Sequence, residues 1–264
     1  MENVDRWISH SAMSDLGRYH DAVAELPNGV GALNRVVQGV IIHTDWLHAY
    51  GVDSSRFERV SRDTLPIAER LALVVDADGR ELAAGRVPAQ RSVGTCRDFA
   101  LMLCAFLRSK GTAARVRCGF ADYFTDGWED HWVCEYWDRE SQCWRYSDAQ
   151  LDAVLREKRG IAFDPADMPR QRFVTAGQAW AACRSGECDP AKFGHGEVMG
   201  LWFVKVNVVR DHYSINNRET SAWDSWRAAP GPKRMVFDQD LAWLDEVAAR
   251  PERQLVEISP DWTL

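Results

Sequence analysis

Three side chains in the middle of the chain have the types and order needed for thiol chemistry: Cys96, His131 and Asp148. Cys96 follows Gly94 and Thr95, and Thr95 with Asp98 three residues on forms a capping box, the mark of a helix start. In the first helical turn, free backbone N–H groups and the helix dipole favour a thiolate, so Cys96 is a candidate nucleophile. Its partners come from strands. His131-Trp-Val-Cys-Glu-Tyr-Trp137 is rich in aromatic and β-branched residues, Asp138 to Ser141 make a turn, and Gln142 to Asp148 return. If those four residues are the loop, Trp137 pairs with Gln142 and His131 stands opposite Asp148 on one face. A histidine beside a carboxylate is an oriented base, and a slip of one residue would separate the two.

The elements that position these groups are legible on either side. The helix opened by Thr95 runs to about Lys110. Phe99, Met102, Leu103 and Phe106 form its stripe, Leu101 and Leu107 widen it, and Gly111 supplies the stop. Ala113 to Phe120 reads as a strand, with Val116, Cys118 and Phe120 alternating against Arg115 and Arg117.

Taken together, Gly94-Thr-Cys-Arg-Asp-Phe-Ala, Leu-Arg-Ser-Lys-Gly-Thr-Ala-Ala-Arg115, Asp130-His-Trp-Val-Cys-Glu-Tyr136 and Trp144-Arg-Tyr-Ser-Asp148 resemble the core of the transglutaminase-like superfamily, in its bacterial form. The resemblance covers residues 90 to 150. It implies an α+β, papain-like fold in which a helix with cysteine at its N-terminus packs on an antiparallel sheet. It also implies that Cys96 is the nucleophile, His131 the base and Asp148 its orienter. Gln90, six residues before Cys96, matches the offset at which papain-like proteases place an oxyanion-donating glutamine; the plainer alternative is a loop residue facing water. Arg97 either pairs with an acid such as Asp98 or faces an anionic substrate group. Trp132 and His212 are further candidate substrate contacts.

Composition narrows the function classes. At 264 residues the chain can bury a substantial core, and a single domain is expected: a helical part over 1–60, the catalytic core over 61–150 and an elaboration over 151–264. A net charge of −7, from 32 basic and 39 acidic residues, argues against a nucleic-acid partner. No apolar run is long enough to span a membrane, and no secretory signal or pro-segment is visible, so the expectation is a cytoplasmic protein. Seven cysteines, an odd number without framework spacing, read as reduced thiols. Cys104, Cys118 and Cys134 fall in core elements.

Elsewhere the pattern is less specific. Leu33, Val36, Val37, Val40, Ile41 and Leu47 predict a helix from about Ala32 to Ala49. His43 and His48 on it read as surface or capped core residues rather than catalytic ones. Leu65 to Val75 predicts a helix with Pro66 in its first turn. Ala149 to Arg159 and Val174 to Arg184 read as helices, and Leu201 to Val209 as a strand or a buried helix. Asp211, His212, Asn216 and Asn217, then Trp223 and Trp226, either line a pocket or serve as scaffold, with scaffold favoured. Cys183, Cys188 and His195 lack the spacing of a zinc knuckle, so no metal and no cofactor are expected.

The implied activity is transfer of an acyl group from an amide or thioester, through a Cys96 thioester, to an amine. The acyl substrate would be a small molecule, a peptide or carrier-bound. A cysteine amidase or peptidase hydrolysing the same intermediate is the alternative, and a non-catalytic binding module that keeps the fold is a third reading.

Overall fold

A computed structural model describes residues 4–57, 66–221, 236 and 238–255. Leu65, Trp223 and Trp226 lie outside the described residues. The chain is α+β and divides into two compact units, Met1–Val116 with Val133–Pro169, and Arg117–Trp132 with Arg170–Leu264. Each is built from two separate stretches of the sequence.

The first unit contains α1 (His20–Ala24), α2 (Val30–Val40), β1 (Ile41–His43), α3 (Ile67–Asp78), β2 (Ser92–Gly94) and α4 (Cys96–Ser109). It also holds the start of β3 (Ala114–Ala121), the end of β4 (Trp128–Asp138), β5 (Cys143–Ser147) and α5 (Ala153–Arg159). The helix expected from Ala32 to Ala49 is interrupted: Ile41-Ile42-His43 leaves it to pair in parallel with Ser92-Val93-Gly94, and a 3-10 turn over Thr44–Tyr50 follows. Helical spacing of the apolar residues gave way to a partner strand some fifty residues on.

Helix α4 matches its sequence pattern closely. Asp98 accepts the Thr95 N–H at 2.8 Å, Phe99 to Arg108 are buried, and Gly111 (φ +73) carries the chain out of the helix in the left-handed region. Arg108 closes the exit by donating to the Ala114 carbonyl at 2.9 Å and the Ser14 hydroxyl at 2.8 Å. Helix α5 starts later than expected because Asp152 caps it, accepting the Leu155 N–H at 3.0 Å. The arginine rows of β3 are not solvated. Arg115 pairs with Glu135 at 2.7 Å, and its guanidinium lies over the rings of Trp7 (4.5 Å) and Trp144 (3.9 Å).

The β4–β5 hairpin differs in register from the sequence expectation. Asp138 pairs with Cys143 and Trp137 with Trp144. The loop is therefore Arg139 to Gln142. Asp138 closes it by accepting the Glu140 N–H at 3.1 Å and the Ser141 hydroxyl at 2.6 Å, while Gln142 takes φ +52. The pairing ends at Cys134 with Ser147, before Asp148, and its register differs from the expected one. The displacement is two residues, an even number, which leaves side-chain parity along the strand unchanged.

The second unit holds the rest of β3 and β4 with β6 (Phe173–Thr175), α6 (Ala176–Ser185), β7 (Phe193–His195), β8 (Val198–Met199), α7 (Leu201–Ile215) and α8 (Asp238–Ala249). Strand β6 pairs antiparallel with β3, β7 parallel with β4, and β8 antiparallel with β7. Residues 174–184, expected as one helix, begin as strand. Helix α6 starts only at a second capping box, in which the Thr175 N–H donates to Gln178 and the Gln178 N–H to the Thr175 hydroxyl. The Leu201 run is a helix, and Asp211 and His212 lie within it rather than after it. Phe120, Trp180, Phe193, Val204, Val208 and Leu244 form the core. Gly177 permits close approach there, since a Cβ would stand 2.3 Å from the Ala248 carbonyl oxygen. Among the described residues, no helix is long and apolar enough to cross a membrane.

Candidate active site

Cys96 is the first residue of α4 and is half-buried. What fixes this helix start is a buried charge cluster. Asp98, 5% exposed, receives Arg70 from α3 at 3.0 Å on Oδ2 and Arg97 at 3.2 Å on Oδ1. Arg70, 2% exposed, also donates to the Ser92 hydroxyl at 3.1 Å and the Val93 carbonyl at 2.7 Å. One arginine thus ties α3 to the strand before the cysteine and to the carboxylate that caps the helix. Gly94 completes the junction: a Cβ there would meet Asp98 Oδ2 at 2.9 Å and Ile41 Cγ2 at 3.1 Å.

Asp148, also in the first unit, is buried directly after β5. Its N–H donates to the Pro165 carbonyl at 2.9 Å, and its Oδ1 accepts the Gln150 N–H at 2.9 Å. Ser147 before it is held by Asn34 and the Pro165 carbonyl. The carboxylate therefore sits on a rigid backbone.

His131 belongs to the second unit, on the first half of β4, and is buried. Two rings pack edge-on against its imidazole, Phe124 at 4.9 Å and Tyr123 at 5.8 Å. Asp130, next along the strand, accepts from Asn207 at 2.7 Å. Burial pushes its carboxyl above the ordinary value, against the pull of Arg210 and Asn207.

The remaining sequence candidates sit as follows. Gln90 ends a 3-10 turn and is exposed, its amide oxygen accepting from Arg80 at 2.8 Å. Arg97 is buried and turned onto Asp98. Trp132 is buried in β4, and its indole N–H has no hydrogen-bond partner among the described residues. His212 is buried in α7, with Nδ1 on the Pro251 carbonyl at 2.8 Å. Among the described residues, no group of three or more His, Cys, Asp or Glu side chains is arranged to hold a metal ion. Cys183 stands near Cys188 and its thiol is pushed up to about 11, mainly by burial. His195 pairs instead with Glu129.

One residue escaped the sequence reading. Arg70 occupies the apolar face of α3 with Ile67, Leu71 and Val74, and a charge on a buried stripe was the signal available for it. His43, read as a surface or capped core residue, is buried in β1 opposite Gly94, its Nδ1 accepting the Asp45 N–H.

Comparison with known proteins bears on this segment. Residues 76–149 match the model of the transglutaminase-like superfamily. This stretch is similar to a transglutaminase-like core. The match takes in Cys96, His131 and Asp148, and the superfamily is one of cysteine-based enzymes. No curated protein matches the chain. Among solved structures, a proposed cysteine protease from Cytophaga hutchinsonii aligns with 66% of this chain and 46% of its own, at 13% identity and a TM-score of 0.39. The chain thus spans less than half of that protein's length, and a likeness this distant carries no argument about activity.

Proposed function

We propose that the transglutaminase-like core is a thiol acyltransferase in which Cys96 is the nucleophile, His131 the general base and Asp148 its orienter. The observation that carries the proposal is the position of Cys96 on the first residue of a capped, buried helix, within a segment of cysteine-enzyme type. There the positive end of the dipole favours the thiolate over the thiol.

In the proposed reaction the Cys96 thiolate adds to the carbonyl carbon of an amide or thioester, and the carbonyl oxygen becomes an oxyanion. Collapse breaks the bond to the leaving amine or thiol, which departs with a proton from the His131 imidazolium. An S–acyl bond to Cys96 remains. An incoming amine then attacks the thioester while His131 takes its proton, and Cys96 leaves as thiolate. The acyl substrate is a small molecule, a peptide or a carrier-bound group. Water in place of the amine gives the amidase or peptidase reaction. Tyr123 and Phe124 against the His131 ring favour transfer, because an aromatic shell limits water at the base.

Intact-mass measurement after incubation with activated acyl donors tests this. The expected result is one acyl mass added per chain, mapped to the peptide carrying Cys96 and absent in Cys96→Ala. Acylation that persists unchanged in Cys96→Ala contradicts it.

A further inference from the structure

We propose that His43 is the side-chain oxyanion donor of the Cys96 site, donating through Nε2–H to the carbonyl oxygen of the acyl substrate. This deepens the acyltransferase reading and rests on it.

Strand register supplies the first support. In the parallel pair of β1 and β2, His43 stands opposite Gly94, two residues before Cys96. Register partners share a face, and the Cβ position of Gly94 meets both Asp98 and Ile41, the latter two residues before His43. The face of β1 that bears His43 is therefore the one turned to the start of α4. Ring packing gives the same direction. The imidazole stacks on Phe99, with centroids 6.5 Å apart and planes at 21°. Phe99 is three residues after Cys96, so the two side chains are neighbours on one helix face. Helical side chains lean toward the N-terminus, which brings the Phe99 ring, and His43 on it, toward the cysteine.

The hydrogen bonding of the ring then sets its role. The Asp45 N–H donates to His43 Nδ1 at 3.2 Å, so Nδ1 is an acceptor and the neutral imidazole carries its proton on Nε2. In this tautomer Nε2 is a donor. Service as a base would need the proton moved to Nδ1, which breaks the Asp45 bond. With 8% exposure the ring is largely shielded from solvent, where a fixed donor aimed at developing charge has most effect. Gln90, the sequence candidate for this work, is exposed and held by Arg80.

The plainer role of His43 is to cap the turn after it. His43→Asn and His43→Gln separate the two roles. Asparagine is a preferred cap and keeps an acceptor for Asp45, but it lacks a donor at the Nε2 position. Glutamine places an amide N–H near Nε2. Two rates are read in each variant, alongside the melting temperature: first-turnover release of nitrophenolate from p-nitrophenyl acetate, and Cys96 alkylation by iodoacetamide, which forms no oxyanion. The expected result is an acylation rate lowered about 100-fold in His43→Asn, in the range for loss of one oxyanion donor, with alkylation unchanged and partial recovery in His43→Gln. Wild-type acylation in His43→Asn overturns the proposal and leaves the nucleophile assignment standing. Equal loss of both rates means that His43 only shapes the segment, and the proposal again falls. A wild-type protein that is alkylated but never acylated removes the acyltransferase reading itself.

Discussion

Replacing Arg70 by methionine tests whether the buried charge cluster holds the start of α4. The substitution roughly keeps side-chain length while removing the 3.0 Å ion pair with Asp98 and the donors to Ser92 and Val93. Breaking a buried pair costs about 3–5 kcal/mol, because a desolvated charge loses its compensation. Asp98 keeps Arg97 at 3.2 Å and the Thr95 N–H at 2.8 Å, which places Arg70→Met at the lower end, about 3 kcal/mol. For a chain of this size that corresponds to a melting temperature lower by about 6–12 °C. Asp98→Asn takes the shared carboxylate from both arginines, so it belongs at the upper end, about 5 kcal/mol. Thermal melts and urea titrations at neutral pH measure both variants. Arg70→Met melting within about 2 °C of wild type, or Asp98→Asn proving the milder change, refutes the reasoning.

Three further outcomes are expected. Asp148→Asn keeps an acceptor for the Gln150 N–H and hence the fold, but it should lower acyl transfer on the order of 100-fold or more, while Asp152→Asn, which preserves the α5 cap, leaves turnover intact; the reverse pattern in steady-state assays contradicts the triad. The Asp130 carboxyl is raised in the folded chain, chiefly by burial, so its contribution to stability is present below the ordinary carboxylate pKa and is lost as pH rises through the folded value. Asp130→Asn should then flatten that part of the stability–pH curve, and an identical curve in denaturant titrations contradicts the assignment. Elemental analysis of protein purified without chelator should find no stoichiometric zinc, since the Cys183 thiol is pushed up rather than down and His195 is engaged by Glu129; one zinc per chain contradicts this.

The parts of the structure that could be read in the sequence are those whose determinants are local. Helix α4 carries its cap, its apolar stripe and its stop within sixteen residues, Thr95 to Lys110, with Gly111 after it, and the structure follows that pattern. Strand β1 could not be read so, because Ile41-Ile42-His43 continues a helical spacing and its partner, Ser92 to Gly94, is remote. The hairpin register missed by two residues because Gln142 adopts a left-handed conformation that nothing in its own chemistry requires. Buried charges were the least legible. The alternation of β3 gives Arg117 no partner, yet Asp211, 94 residues away, accepts from it at 2.9 and 2.8 Å. Helix α7 is apolar over its first half, so period alone did not separate strand from helix. His43, read as a surface or capped core histidine, is buried and caps the turn after it, and its place opposite Gly94 comes from the parallel pairing.

The central claim is that Cys96 is a thiolate nucleophile served by His131. The most direct measurement is the rate of Cys96 alkylation by iodoacetamide against pH, with labelled peptides mapped, in wild type and in His131→Ala. The account predicts a wild-type midpoint below the ordinary thiol value of about 8.5 and a shift toward that value when the histidine is removed. A wild-type midpoint at the ordinary value, unmoved by His131→Ala, would contradict it.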